Sequence, residues 1–110
     1  MWDIYFAHIY VFNNVVIDKS ILFTDCVIGR NSKIDYRILD KRVQIGDESV
    51  IGANNDDYLI TVLGKQAVIP SGFIIQPGSI IGPDVIPSDF NSNVVKSGEF
   101  VQTRRLPYEI

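Results

Sequence analysis

Aliphatic residues recur every six positions along most of this chain, a spacing that neither a helix nor a simple two-residue alternation explains. Leu22, Ile28 and Ile34 form one run, Leu39, Ile45 and Ile51 a second, and Leu63, Ile69, Ile75 and Ile81 a third. A step of five joins Ile34 to Leu39, and a step of twelve joins Ile51 to Leu63. Two residues earlier runs another column, Ser20, Cys26, Ser32, Val43, Ser49, Thr61, Ala67, Phe73 and Ser79, which is small except at Val43 and Phe73.

Three short strands joined by sharp corners, making one triangular coil of about eighteen residues, produce this double period. Residues i and i−2 of a strand point to the same side, so one large aliphatic per strand fills the interior and only a small neighbour fits beside it. Gly29, Gly46, Gly52, Gly64 and Gly82 follow the aliphatics where the chain is expected to bend, and Pro70 stiffens one such place. Coils then stack about 4.8 Å apart through parallel ladders. The predicted fold is all-β, a parallel β-helix of three to four coils. Cys26 falls in the small column in register, so it reads as a core residue rather than a catalytic thiol.

The irregular stretches divide the chain. Residues 1–14, with Tyr5, Phe6, Tyr10 and Phe12, read as a lead-in strand or linker before the array at 15–82. Within the array the missing core position of the twelve-residue step is Asp57, which would not sit unpaired among isoleucines. Residues 53–59 are therefore expected as a loop thrown out of the coil. From 83 to 110 the register dissolves, and Pro83, Pro87 and Pro107 suggest a cap and tail over the last coil's edge. At 110 residues and 46% hydrophobic content the chain makes one domain. A net charge of −3 excludes a basic surface over the whole molecule, and with it nucleic acid as the expected partner. Cys26 cannot form an internal disulfide, and neither a signal peptide nor a membrane-length apolar run is present, so no membrane association and a cytoplasmic location are expected.

The stretches "SILFTDCVIG", "ILDKRVQIGDESVIGANN", "ITVLGKQAVIPSG" and "DVIPSDF" resemble the C-terminal domain of ADP-glucose pyrophosphorylase, or glucose-1-phosphate adenylyltransferase, over about residues 15–90. The resemblance implies that the helix is left-handed. It also implies a parent enzyme that condenses ATP with glucose 1-phosphate, using Mg2+, to give ADP-glucose and pyrophosphate for glycogen synthesis. That chemistry belongs to an N-terminal nucleotide-binding domain, and this chain has no GxGxRL-type glycine-rich loop. Taken alone, the chain is expected to be non-catalytic and to carry no cofactor. Its implied partners are the nucleotidyltransferase catalytic domain, further copies in a homo-oligomer (a tetramer in the family), and a phosphorylated small-molecule effector. The opening "MWDIYFAHIYVF" departs from the family's interdomain segment.

By the same resemblance, Lys41 of "LDKRV" and Lys65 of "LGKQAVIPSG" match positions where the family holds phosphorylated effectors. Independently, Lys41 lies two after Leu39 and Lys65 two after Leu63, so both occupy one place in the repeat. With an excursion of six residues removed, they stack at one corner, where like charges repel unless an anion neutralises them. Arg42 and Arg30 are further candidate donors. Asp35, Asp40, Asp47 and Glu48 read as solubilising corner residues, and Asn54, Asn55, Asp56 and Asp57 lack the spacing of a calcium loop. Ile21, Val27, Ile38, Val50, Val62, Val68, Ile74 and Ile80 precede the core aliphatics and should face outward, an apolar exterior suited to a covering partner. Two other classes compete. A hexapeptide acyltransferase would need a histidine base, and the related carbonic anhydrases several zinc-ligating histidines, whereas only His8 is present, in an aromatic-rich segment before the array. A structural oligomerisation module of another sugar nucleotidyltransferase, with no ligand, is the stronger competitor.

Overall fold

The computed structural model describes residues 4, 5, 8–22, 24–52 and 59–109, with backbone alone at 4, 5, 19, 36 and 37. Its strands are β1 (Ile4–Tyr5), β2 (Tyr10–Val11), β3 (Val16–Leu22), β4 (Val27–Ile28), β5 (Lys33–Leu39), β6 (Gln44–Ile45) and β7 (Val50–Ile51). They continue as β8 (Thr61–Leu63), β9 (Val68–Ile69), β10 (Ile74–Ile75), β11 (Ile80–Ile81), β12 (Val94–Val95) and β13 (Phe100–Val101). Every pairing between them is parallel and runs from coil to coil. The result is a left-handed parallel β-helix. One face carries β1, the C-terminal halves of β3 and β5, then β8, β11 and β13; a second carries β2, β4, β6 and β9; the third carries the N-terminal halves of β3 and β5, then β7, β10 and β12.

The helix has about five turns, not three to four. At the N-terminal end Tyr5 pairs with Leu22, Val11 with Ile28 and Ile17 with Ile34. At the other end Val95 pairs with Ile75 and Val101 with Ile81. The extra rungs escape a search for leucine and isoleucine every six residues, because tyrosine and valine stand at those sequence positions and a second five-residue step separates Ile17 from Leu22. Downstream, the step from Val85 to Val95 is ten residues, lengthened by a 3₁₀ turn at Pro87–Asp89.

Every aliphatic of the predicted core column is at most 3% exposed. The small column is buried with it, and its hydroxyls are satisfied by corner carbonyls rather than left bare. Ser49 Oγ donates to the Gly46 carbonyl at 2.9 Å, and Ser32 Oγ to the same oxygen at 3.1 Å. Val43 fits in this column fully buried, whereas Phe73 is half-buried and packs edge-on to Phe90, ring centroids 5.0 Å apart. Arg37 stands in register between Ser20 and Thr61, a position the small-residue pattern passes over.

The glycines after the aliphatics have a different cause from the one expected. The left-handed corner residue lies further on and is mostly not glycine: Asn31 has φ 59°, Arg42 58°, Glu48 59°, Gln66 63° and Asp84 60°. Gly46 is required instead by the stacking of coils, since a Cβ there would lie 2.4 Å from the Ser71 nitrogen of the next coil. At Gly64 the same atom would lie 2.5 Å from the Pro83 nitrogen. Gly52, with φ 70°, is the member of the set that does serve a left-handed bend. Most of the expected excursion falls outside the described residues, at 53–58, while Leu59 beside it is exposed.

Candidate functional site

The corner between the first and second faces is built by the same short turn in successive coils. Its rungs are backbone hydrogen bonds: Arg42 N–H to Thr24 O at 3.0 Å, Gln66 N–H to Lys41 O at 2.9 Å, and Asp84 N–H to Lys65 O at 2.8 Å. Leu39 pairs with Leu63, so Lys41 and Lys65 follow their core leucines in step and occupy neighbouring coils. Their backbones are therefore separated by one ladder spacing, about 4.8 Å. The column along this corner reads Thr24, Lys41, Lys65, Pro83 and Thr103.

Both lysines are exposed, and neither ammonium meets an acceptor among the described residues. Asp40, the nearest carboxylate in sequence, is engaged elsewhere, its Oδ1 accepting the Lys41 backbone N–H at 2.7 Å. Arg42 is exposed at the left-handed position of the turn, next to Lys41 in the chain and at the same corner. Asp25 and Asp84 flank this second column, so the cationic spot is local and bounded by acids.

Arg30 is not brought to this corner. It turns at the next one, between the second and third faces, where Asp47 Oδ1 accepts its backbone N–H at 2.8 Å. Asp47 Oδ2 lies 3.4 Å from its guanidinium. Asp47 is thus part of the corner's wiring, with its own N–H donated to Ser71 Oγ at 3.0 Å, rather than only a solubilising residue. Asp35 also departs from that expectation: it lies within β5, half-buried, and its Oδ1 is buried with no hydrogen-bond partner among the described residues. His8 is exposed, lies outside any strand and has φ 63°. Cys26 is fully buried, its Sγ donating to the Asp40 carbonyl at 3.1 Å, and burial pushes its thiol pKa up, as expected for a core residue. The described residues contain no group of three or more His, Cys, Asp or Glu placed to hold a metal ion, and no helix long and apolar enough to cross a membrane.

One functional-looking arrangement was not legible in the sequence. Asp89 is 5% exposed, and its carboxylate accepts the Ile86 N–H at 2.9 Å through Oδ2 and the Arg104 N–H at 2.9 Å through Oδ1. It ties the C-terminal tail to the last coil. Burial alone would raise its pKa, but these two N–H groups, Thr103 and the charge of Arg105 together hold it below the usual carboxylate value. Arg104 also donates to Asn91 Oδ1 and Arg105 to the Asp84 carbonyl, which brings the tail against the lysine-bearing corner. The fifteen-position separation of Asp89 and Arg104 hides this contact from any periodic reading.

Comparison with known proteins follows the same outline. The profile of the GlmU-like, C-terminal hexapeptide family matches residues 3–59, more than half of the chain. The chain belongs to this family. It is also similar to the glucose-1-phosphate adenylyltransferase of Thermomicrobium roseum, 41% identical over 93 residues, which covers 74% of this chain and 22% of that protein. The protein of the same name from Acetivibrio thermocellus is 30% identical over 109 residues, 90% of this chain and 26% of the relative. That of Thermotoga maritima is 34% identical over 65 residues, 57% of this chain and 15% of the relative. This hexapeptide-family chain therefore spans about a quarter or less of the length of the curated relatives it matches. No solved structure gives a significant match.

Proposed function

We infer that this chain is the regulatory and assembly β-helix of a glucose-1-phosphate adenylyltransferase, which receives a phosphorylated effector at the Lys41–Lys65 corner. The relatives supply the enzyme class, and the chemistry implied by their name, adenylyl transfer to glucose 1-phosphate, needs a nucleotide-binding domain that this β-helix does not contain. The observation that carries the effector reading is the register of the two lysines. Two exposed ammonium groups without acceptors among the described residues, about 4.8 Å apart at the backbone, repel each other until an anion sits between them. A phosphate takes charge-assisted hydrogen bonds from both, and Arg42 adds a planar donor at the same turn.

The outer surface of the first face supports the assembly role. In register from coil to coil it presents Ile21, Ile38, Val62, Ile80 and Phe100, with no polar residue among them. The other faces are interrupted, by Lys33 between Val16 and Val50 and by Gln44 between Val27 and Val68. A catalytic domain or a second copy laid on the first face would bury a continuous apolar stripe.

Calorimetric titration of the folded chain with fructose 1,6-bisphosphate, 3-phosphoglycerate, AMP and inorganic phosphate tests the effector role. Saturable binding by at least one of them, lost in Lys41→Ala and Lys65→Ala, is expected. A folded chain that binds none of them is a structural module instead.

A further inference from the structure

Side chains close the last coil along β12 and the tail, but not along β13. In a parallel ladder alternate residues bond to opposite neighbours, so the groups facing beyond the last coil follow from those that face it. Ile74 N–H and Gln76 N–H donate to the Asn93 and Val95 carbonyls at 2.8 Å, and one coil on the N–H groups of Val94 and Lys96 point past β12. Ser92 Oγ accepts the first at 3.2 Å and Glu99 Oε1 the second at 3.1 Å. In the tail, Asp89 Oδ1 and Thr103 Oγ1 take the N–H groups of Arg104 and Arg105. On the first face, Ile80 N–H and Gly82 N–H donate to the Glu99 and Val101 carbonyls at 2.8 Å, so Phe100 and Gln102 project theirs past β13. Neither meets an acceptor among the described residues, and the sheet order ends at β13.

We propose that the outer edge of β13 is a strand-addition site. It takes an extended segment of a partner protein as one more parallel rung, with an aliphatic residue seated on Val101 and an acidic residue towards Arg104.

Exposed strand edges are commonly blunted, and one left with free donors is a template for an added strand. The two donors lie two residues apart, roughly 6.6 Å, the repeat of main-chain carbonyls on one side of an extended chain. The core column asks for a further member too. Leu63 and Ile81 have a coil on each side and are fully buried, whereas Val101, next in register, is covered on one side and stays half-buried. A recess of about 490 Å³ opens there, with Phe90, Val95 and Phe100 among its walls.

Charge selects the occupant. Lys96 and Arg104 border the recess exposed and form no ion pair among the described residues. The carboxylates beside them are already committed to backbone, Asp89 to Ile86 and Arg104, Glu99 to Lys96. An acid on the incoming segment therefore gains two unneutralised cations.

The test is amide chemical-shift titration and hydrogen exchange of the 110-residue chain with the peptide acetyl-Thr-Val-Leu-Gly-Glu-amide, which repeats the rung Thr61–Gly64 and ends in an acid. Expected are saturable shifts and slowed exchange at Phe100 and Gln102. N-methylation of the peptide leucine removes the N–H that pairs with the Phe100 carbonyl and should weaken binding about tenfold. Lysine in place of the glutamate should weaken it about fivefold, a preference lost in the Lys96→Gln, Arg104→Gln double variant, whose fold is checked by thermal melting. No saturable shift at β13, or equal binding of the N-methylated peptide, overturns the added rung. A glutamate preference that is absent, or that survives in the double variant, overturns the acidic partner. Exchange at Phe100 and Gln102 that slows with chain concentration alone, while the peptide has no effect, assigns the edge to a second copy and overturns the proposal.

Discussion

Gly46 and Gly72 stand at the same corner in successive coils, yet a methyl group meets opposite surroundings at the two positions. At Gly46 it would collide with backbone of the next coil, while at Gly72 nothing lies within 4 Å and only the φ of 75° resists it. Gly46→Ala is therefore expected to lower stability by about 3 kcal/mol through forced separation of the coils, and Gly72→Ala by only about 1 kcal/mol through left-handed strain. Urea unfolding of the two variants checks the ranking, and equal losses would mean that the coils part easily. Cys26 offers a second check at this scale. Its thiol is buried and its pKa raised, so iodoacetamide should modify it only after denaturant is added. The core aliphatics were readable because their burial repeats with the period of the chain. The reason for the glycines was not, because close approach between coils is set by partners nineteen or twenty-five residues away, Pro83 for Gly64 and Ser71 for Gly46, and leaves no local mark.

Among the elements, the corners and the tail behave differently toward pH. Asp89 has its pKa lowered in the folded chain, so its ionised form stabilises the clip between the 3₁₀ turn and Arg104. That stability is fully present above the ordinary carboxylate value of 3.8 and is lost as pH falls through the lower folded value. Melting temperature should accordingly drop below pH 4 more steeply in the unmodified chain than in Asp89→Asn, which starts less stable at pH 7 and has no such carboxylate to protonate. Parallel pH profiles would show that the clip contributes nothing. The strands between the corners were legible wherever isoleucine or leucine kept the count. They were missed at β12 and β13, and the lead-in strand or linker expected over 1–14 was not placed in the coils as β1 and β2, because aromatic residues, valine and the inserted 3₁₀ turn keep the register in space but not in sequence. Of the candidate site, Lys41, Arg42 and Lys65 could be grouped from spacing, since the corner copies the strand register. Arg30 could not be excluded that way, because one hexapeptide step is a third of a turn and only the fold tells one corner from the next.

For the molecule as a whole, the outward stripe from Ile21 to Phe100 conflicts with life as an isolated chain. Half-buried at Ile21, Ile38 and Val62 but 41% exposed at Ile80, it leaves an apolar face that water wets poorly. Sedimentation velocity should show reversible self-association despite the charge of −3, reduced in Ile80→Lys without loss of fold. A wild-type chain that stays monomeric at high concentration would remove the assembly surface from the proposal. The proposed effector binding would add a second property of the whole, since the lysine corner lies within a net-negative molecule and its attraction for an anion should weaken as salt rises. The most direct measurement is amide chemical-shift mapping of the chain during titration with a phosphorylated ligand. Peaks of residues 40–42, 64–66, 82 and 84 are predicted to move together and saturate, while those of Arg30, Asn31, Asp47 and Glu48 at the next corner stay still. Saturable movement centred on that other corner, or none anywhere, would contradict an anion site built by Lys41 and Lys65.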